Sequence, residues 1–123
     1  MKLSMFDFDN TLVKTPYEDS PYLDTKESLD PEKWSFSFNN KTVENYFNES
    51  NGNEVITVLL TNRIDSVKEE VMSILETKKI KFKEKLFIIG KDGDRSKGKR
   101  VESLIKKYPK TTEIEYWEDK DKH

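Results

Sequence analysis

The stretch Leu3-Ser4-Met5-Phe6-Asp7-Phe8-Asp9-Asn10-Thr11 decides how the rest of the chain is read. Its first four residues form a β-compatible apolar run that predicts a buried strand, and the acidic pair falls where that strand should end. Two carboxylates two residues apart at a strand end project from one edge, with a backbone carbonyl available between them. Such an oxygen set suits magnesium, which takes one or two protein carboxylates and fills its remaining positions with water and substrate phosphate. A strand-end Asp can also attack phosphorus, while a second Asp two residues on protonates the departing oxygen and later activates a water. The same Asp-x-Asp spacing also occurs in solvated turns, so the pair needs support from the remaining chain. A calcium loop fits poorly, because no Gly and no terminal Glu follow at the required distance.

A chain of 123 residues has room for one domain with a modest core. Charged residues make up 37% and hydrophobic ones 33%, so nearly every apolar side chain is needed inside. No apolar run approaches a membrane span and no signal-peptide pattern opens the chain, which predicts a soluble, intracellular and cytoplasmic protein without a membrane partner. With no Cys and a single His, His123, disulfide frameworks, thiolate nucleophiles and histidine triads have no residues to build on. Charge is segregated: residues 78–110 carry net +9 and residues 1–54 net −6. A basic block of this kind either attracts a polyanion or is a solvated Lys-rich surface.

After Thr11, Pro16 and Pro21 punctuate a loop, and residues 14–54 read as a small cap or lid inserted in a single domain spanning 1–123. Within it Trp34-Ser35-Phe36-Ser37-Phe38 alternates like a strand, and Val43, Tyr46 and Phe47 share a helical face before Asn51-Gly52. These aromatics either stack on bases or anchor the lid to the core. A second buried strand, residues 55–60, ends in Thr61-Asn62-Arg63. Ile64, Val67, Val71, Ile74 and Leu75 then recur at helical spacing to about Thr77. A strand, polar turn and helix place hydroxyl and basic groups at the carboxyl end of a parallel sheet.

The third strand is expected at 85–89 and closed by Gly90, followed by turn-rich 91–99 and a helix with Val101, Leu104, Ile105 and Tyr108 on one side, stopped by Pro109. Gly93-Asp94-Arg95-Ser96-Lys97-Gly98-Lys99-Arg100 is a near miss for a nucleotide-phosphate loop. Arg100 stands where Ser or Thr should ligate magnesium. Residues 113–117 are the fourth strand, ending in Glu118-Asp119. Right-handed crossovers favour an α/β fold with a parallel four-stranded sheet of order 3-2-1-4 flanked by helices. Its carboxyl edge would gather Asp7, Asp9, Thr61, Arg63, Lys97 or Lys99, and Asp119.

Taken together, these residues resemble the haloacid dehalogenase-like (HAD) superfamily, whose fold is Rossmann-like. Asp7-x-Asp9-x-Thr11-Leu12 looks like its first motif, Leu59-Leu60-Thr61-Asn62-Arg63 its second, Lys97 its third-motif lysine and Glu118-Asp119 its acidic fourth motif. More narrowly, the Trp34-containing insertion, the Thr-x-Arg ending, the lysine before Gly98 and Trp117-Glu118-Asp119-x-x-x-His123 resemble the HAD domain of Swiss army knife RNA repair proteins. The phosphatase half of polynucleotide kinase-phosphatases is similar in its second and fourth motifs. Asn62 replaces the usual Gly of the second motif.

The resemblance implies a magnesium-dependent phosphomonoester hydrolase acting through an aspartyl phosphate on RNA or DNA terminal phosphates. In it Asp7 is the nucleophile, Asp9 the acid and base, and Thr61 and Lys97 the phosphoryl-binding groups, with Lys99 the alternative lysine. Thr11, Asn62, Arg63 and Lys99 are expected near substrate, and Asp7, Asp9 and Asp119, with Glu118 as alternate, around the cation. The alternative function is a catalytically weak HAD-like RNA-binding or repair-associated module.

Overall fold

The computed structural model describes residues 1–14, 37–88 and 97–117. Along these run β1 (Lys2–Phe6), β2 (Val13–Lys14), β3 (Ser37–Phe38), α1 (Asn40–Ser50), β4 (Val55–Ile64), a 3-10 turn (Asp65–Val67), α2 (Lys68–Glu76), β5 (Glu84–Ile88), α3 (Lys97–Lys107) and β6 (Glu113–Trp117). The main sheet has the order β5-β4-β1-β6, and all its pairings are parallel. In chain order these are the third, second, first and fourth strands of that sheet. The detail that differs from expectation is the pair β2 and β3, a separate antiparallel sheet in which Val13 faces Phe38.

Being central, β1 is buried on both faces, and its side chains alternate between two cores. Leu3 and Met5 join Val58, Leu60, Val101 and Leu104 on the α3 side. Phe6 joins Tyr46, Leu59, Val71, Leu75 and Phe82 on the side of α1 and α2. The split follows from crossover handedness. The chain steps outward from β1 to β4 to β5 through α1 and α2, then returns past β1 to β6 through α3, so right-handed connections put α3 on the opposite face.

Part of the stretch expected as a lid, residues 40–50, forms this first crossover helix. Asn39 caps α1 through Oδ1, which accepts from Thr42 N at 3.3 Å. Tyr46 is buried with its ring edge-on to Phe6 and Phe82. Its hydroxyl donates to Lys81 O at 2.5 Å and accepts from Lys81 N at 3.0 Å, which ties α1 to the entry of β5. Trp34, Pro16 and Pro21 lie outside the described residues. At the other end of the sheet Lys2 Nζ lies 2.6 Å from Glu49 and 3.0 Å from Glu115, linking β1, α1 and β6. The Glu49 hydrogen bond, against the opposing effect of burial, raises the Lys2 ammonium above the usual lysine range.

Candidate active site

The carboxyl ends of β1 and β4 and the first turn of α3 meet at one edge of the sheet. Leaving β1, Asp7 N donates to Trp117 O at 3.1 Å, so the loop departs from beside the end of β6. Trp117 is itself fixed, its ring stacked on Phe6 at 5.5 Å and its Nε1 donating to Ser4 Oγ at 3.0 Å. The loop is tight: the Phe8 carbonyl accepts from the amides of Thr11, Leu12 and Val13. Asn10 takes φ 58°, a left-handed conformation that asparagine tolerates better than most residues. Phe8 and Leu12 bury themselves in the core, while Asp7 and Asp9 stay partly exposed.

Strand β4 runs through Thr61-Asn62-Arg63 rather than ending before them. Its register with β5 slips there: Leu60 faces Leu86 and Ile64 faces Ile88, four steps on one strand against two on the other. Such a bulge re-aims side chains locally. It turns Arg63 inward, where the side chain is 1% exposed and paired with Asp9. Arg63 Nε donates to Asp9 Oδ2 at 2.9 Å and Nη2 to Asp9 Oδ1 at 2.7 Å, a bidentate fork. The guanidinium also lies 5.5 Å from the Phe8 ring centre, which covers it.

Asp7 Oδ1 accepts from Phe8 N at 2.8 Å, and Oδ2 lies 3.7 Å from Lys97 Nζ. Lys97 opens α3, which begins earlier than the turn-rich reading of 91–99 implies. Both side chains of this pair keep contact with solvent, at 30% for Lys97 and 20% for Asp7. Lys99 is exposed on the same helix.

Thr61 is fully buried, and its Oγ1 accepts from Arg63 N at 3.2 Å. The buried Thr11 hydroxyl has no hydrogen-bond partner among the described residues, so Arg63, rather than that hydroxyl, grips the Asp9 carboxylate. Asn62 Oδ1 accepts from Arg100 Nη2 at 3.0 Å. Glu118 and Asp119 lie outside the described residues, as do residues 93–96 of the near-miss loop.

Sequence reasoning missed two partnerships. Arg63 was expected at substrate, and its fork lies on Asp9, 54 residues away. Arg100 was noted only as a mismatch in a phosphate loop, yet it is a buried arginine donating to backbone carbonyls of β4 and β5. A signal was present for Arg100: positions 97, 100, 101, 104 and 108 share one helical face, and that face is the apolar one. Nothing local to residue 63 signals its partner.

A parallel α/β sheet with flanking helices and an acidic loop at the carboxyl end of its central strand defines a Rossmann-like fold of the haloacid dehalogenase-like class. The model of HAD domain family 1 in Swiss Army Knife RNA repair proteins matches residues 8–123, and the chain belongs to that family. Its fold is similar to that of a chain in the structure of the Pnkp1/Rnl/Hen1 complex, with TM-score 0.67 and 16% identity over 93% of this chain and 36% of that one. A chain in the structure of the Pnkp1/Rnl/Hen1 RNA repair complex is similar at TM-score 0.63 and 17% identity, over 86% of this chain and 31% of that one. The present chain thus spans about a third of the length of those neighbours. No curated protein matches it.

Proposed function

We propose that the chain is a phosphomonoester hydrolase that forms an aspartyl phosphate on Asp7 and takes terminal phosphates of RNA or DNA as substrates. The observation that carries this reading is the Lys97 ammonium 3.7 Å from Asp7 Oδ2, beside a second aspartate whose orientation is fixed. A cation beside the attacking carboxylate is placed to meet the phosphoryl oxygens, where positioning and charge neutralisation supply most of the catalysis. The RNA-end preference draws on membership of a family of RNA repair domains.

In the first step an Asp7 carboxylate oxygen bonds to phosphorus, the bond from phosphorus to the leaving alcohol breaks, and Asp9 gives that oxygen a proton. A protonated Asp9 keeps one acceptor oxygen toward Arg63 and offers its O–H to the alcohol. In the second step water bonds to phosphorus, its proton passes to Asp9, and the bond between Asp7 and phosphorus breaks. Thr61 is assigned to the phosphoryl oxygens by its place in the second motif; it is fully buried, and its oxygen accepts from the Arg63 amide.

The Asp7 carboxylate and the Asp9 carbonyl, with Asp119 or Glu118, would hold the cation, an all-oxygen set of the kind magnesium takes. When bound, the cation supplies charge neutralisation at the phosphoryl group.

The test is phosphate release from a 3′-phosphorylated RNA oligonucleotide and from an aryl phosphate, with magnesium and with excess EDTA, beside Asp7→Ala. Release by wild type with magnesium alone is expected. Full activity in EDTA would remove the metal assignment, and equal release by Asp7→Ala would remove the nucleophile.

A second reading, a catalytically weak RNA-binding module, is favoured by the fork that occupies both Asp9 oxygens. It predicts RNA binding that Asp7→Ala leaves unchanged, with no phosphate release.

A further inference from the structure

The Arg100 guanidinium is buried where several pieces of the site meet. Nη1 donates to Thr61 O at 2.5 Å and to Leu86 O at 3.3 Å, and Nη2 donates to Asn62 Oδ1 at 3.0 Å. A bulge interrupts the strand ladder, and the carbonyls it displaces need donors from elsewhere. Arg100 supplies one at the bulge itself. On α3 it stands one turn after Lys97, so the two side chains leave neighbouring positions on one face.

We propose that Arg100 is a positioning residue for the phosphoryl-transfer centre. Its fork ties the β4 bulge, with Thr61 and Asn62, to the first turn of α3 and thereby sets the approach of Lys97 to Asp7. The proposal rests on the phosphatase reading above and deepens it. Arg100 acts through Lys97 and Thr61; its Nη1 and Nη2 donors face protein acceptors on two strands. The position that would carry a magnesium-ligating hydroxyl in a nucleotide loop carries a structural tie here instead. A lysine at this site would offer one point charge where a planar fork now spans three acceptors.

The experiment compares wild type, Arg100→Met, Lys97→Ala and the double variant on a small aryl phosphate with magnesium. Methionine keeps an apolar stem in the buried site. Arg100→Met is expected to lower kcat about 10- to 100-fold, the scale of a small misplacement of a catalytic group, with KM little changed. Lys97→Ala should then cost much less in the Arg100→Met background than in wild type, because the group it removes is already displaced. Fully additive losses would overturn the proposal.

Amide hydrogen exchange reads the same tie without turnover. Faster exchange confined to residues 61–63 and 97–101 supports the tie, while uniform acceleration through β1 and α2 means that Arg100 only holds the fold and overturns it. If wild type releases no phosphate, the phosphatase reading fails, and exchange still decides whether Arg100 makes the tie. Arg100→Lys replaces the Met variant if that one does not fold. It should show an intermediate kcat with the same coupling to Lys97, and additive losses there would equally overturn the proposal.

Discussion

Asp9 meets Arg63 through both carboxylate oxygens, and Phe8 covers the guanidinium from the adjoining turn. That arrangement fixes the direction in which an acid or base could act, and it makes the pair a structural element as well. Removing one partner from a buried ion pair strands the other. Water reaches Asp9, whose side chain is 17% exposed, so Arg63→Ala is expected to cost about 2–3 kcal/mol, below the full buried-pair penalty. Chemical denaturation measures this, and a loss near zero would contradict the bidentate pair. Arg63→Lys keeps the charge but not the fork, so phosphate release should fall sharply while the protein remains folded. Asp7 sits at the open side of the same loop and leaves the Arg63 fork untouched. Asp7→Ala should therefore abolish turnover with little change in melting temperature.

The crossover helix and the edge strand carry their own predictions. Tyr46→Phe removes the hydroxyl that serves both Lys81 N and Lys81 O, and should cost about 1–2 kcal/mol through unsatisfied backbone groups. A denaturation midpoint equal to wild type would mean that water replaces the hydroxyl. On β5, Glu84 accepts from Lys107 Nζ, at the end of α3, at 2.8 Å and from Tyr108 Oη, just past that helix, at 2.8 Å. Burial opposes its charge, but the hydrogen bonds from Lys107 and Tyr108 prevail and hold its carboxyl below the ordinary value of 4.5. A carboxylate held lower in the folded than in the unfolded state stabilises the fold above the unfolded value, and that contribution disappears as pH falls through the folded one. Wild type should thus lose melting temperature below about pH 4.5 more steeply than Glu84→Gln. Parallel profiles would contradict the assignment.

These elements also show what local pattern can reveal. The strand at 2–6, the helical face of Val71, Ile74 and Leu75 and the strand at 113–117 follow from periodicity alone. The bulge at 61–63 does not, because a register slip is a relation between two strands.

Across the whole molecule, the central position of β1 is what brings a motif at residue 7 to residues 63 and 97. The sheet order was legible from crossover handedness. The pairings of Asp9 with Arg63 and of Arg100 with Thr61 were not, since they join residues 54 and 39 apart and depend on the bulge. The basic segment supplies exposed lysines at 78, 79, 81, 83 and 85, with Glu84 among them already engaged by Lys107. Polyanion attraction by such a surface weakens with salt. Raising monovalent salt should therefore raise KM for a phosphorylated oligonucleotide far more than for an aryl phosphate, and equal sensitivity would contradict a role for this surface in RNA binding.

In the proposed reaction the phosphoryl group passes through Asp7. Intact-mass and peptide analysis of the protein, acid-quenched during incubation with an aryl phosphate, tests this; the good leaving group lightens the demand on Asp9 in the first step. One phosphoryl group is expected, mapped to Asp7 and absent from Asp7→Asn. Continuing turnover with no adduct, or an adduct on another residue, would contradict it.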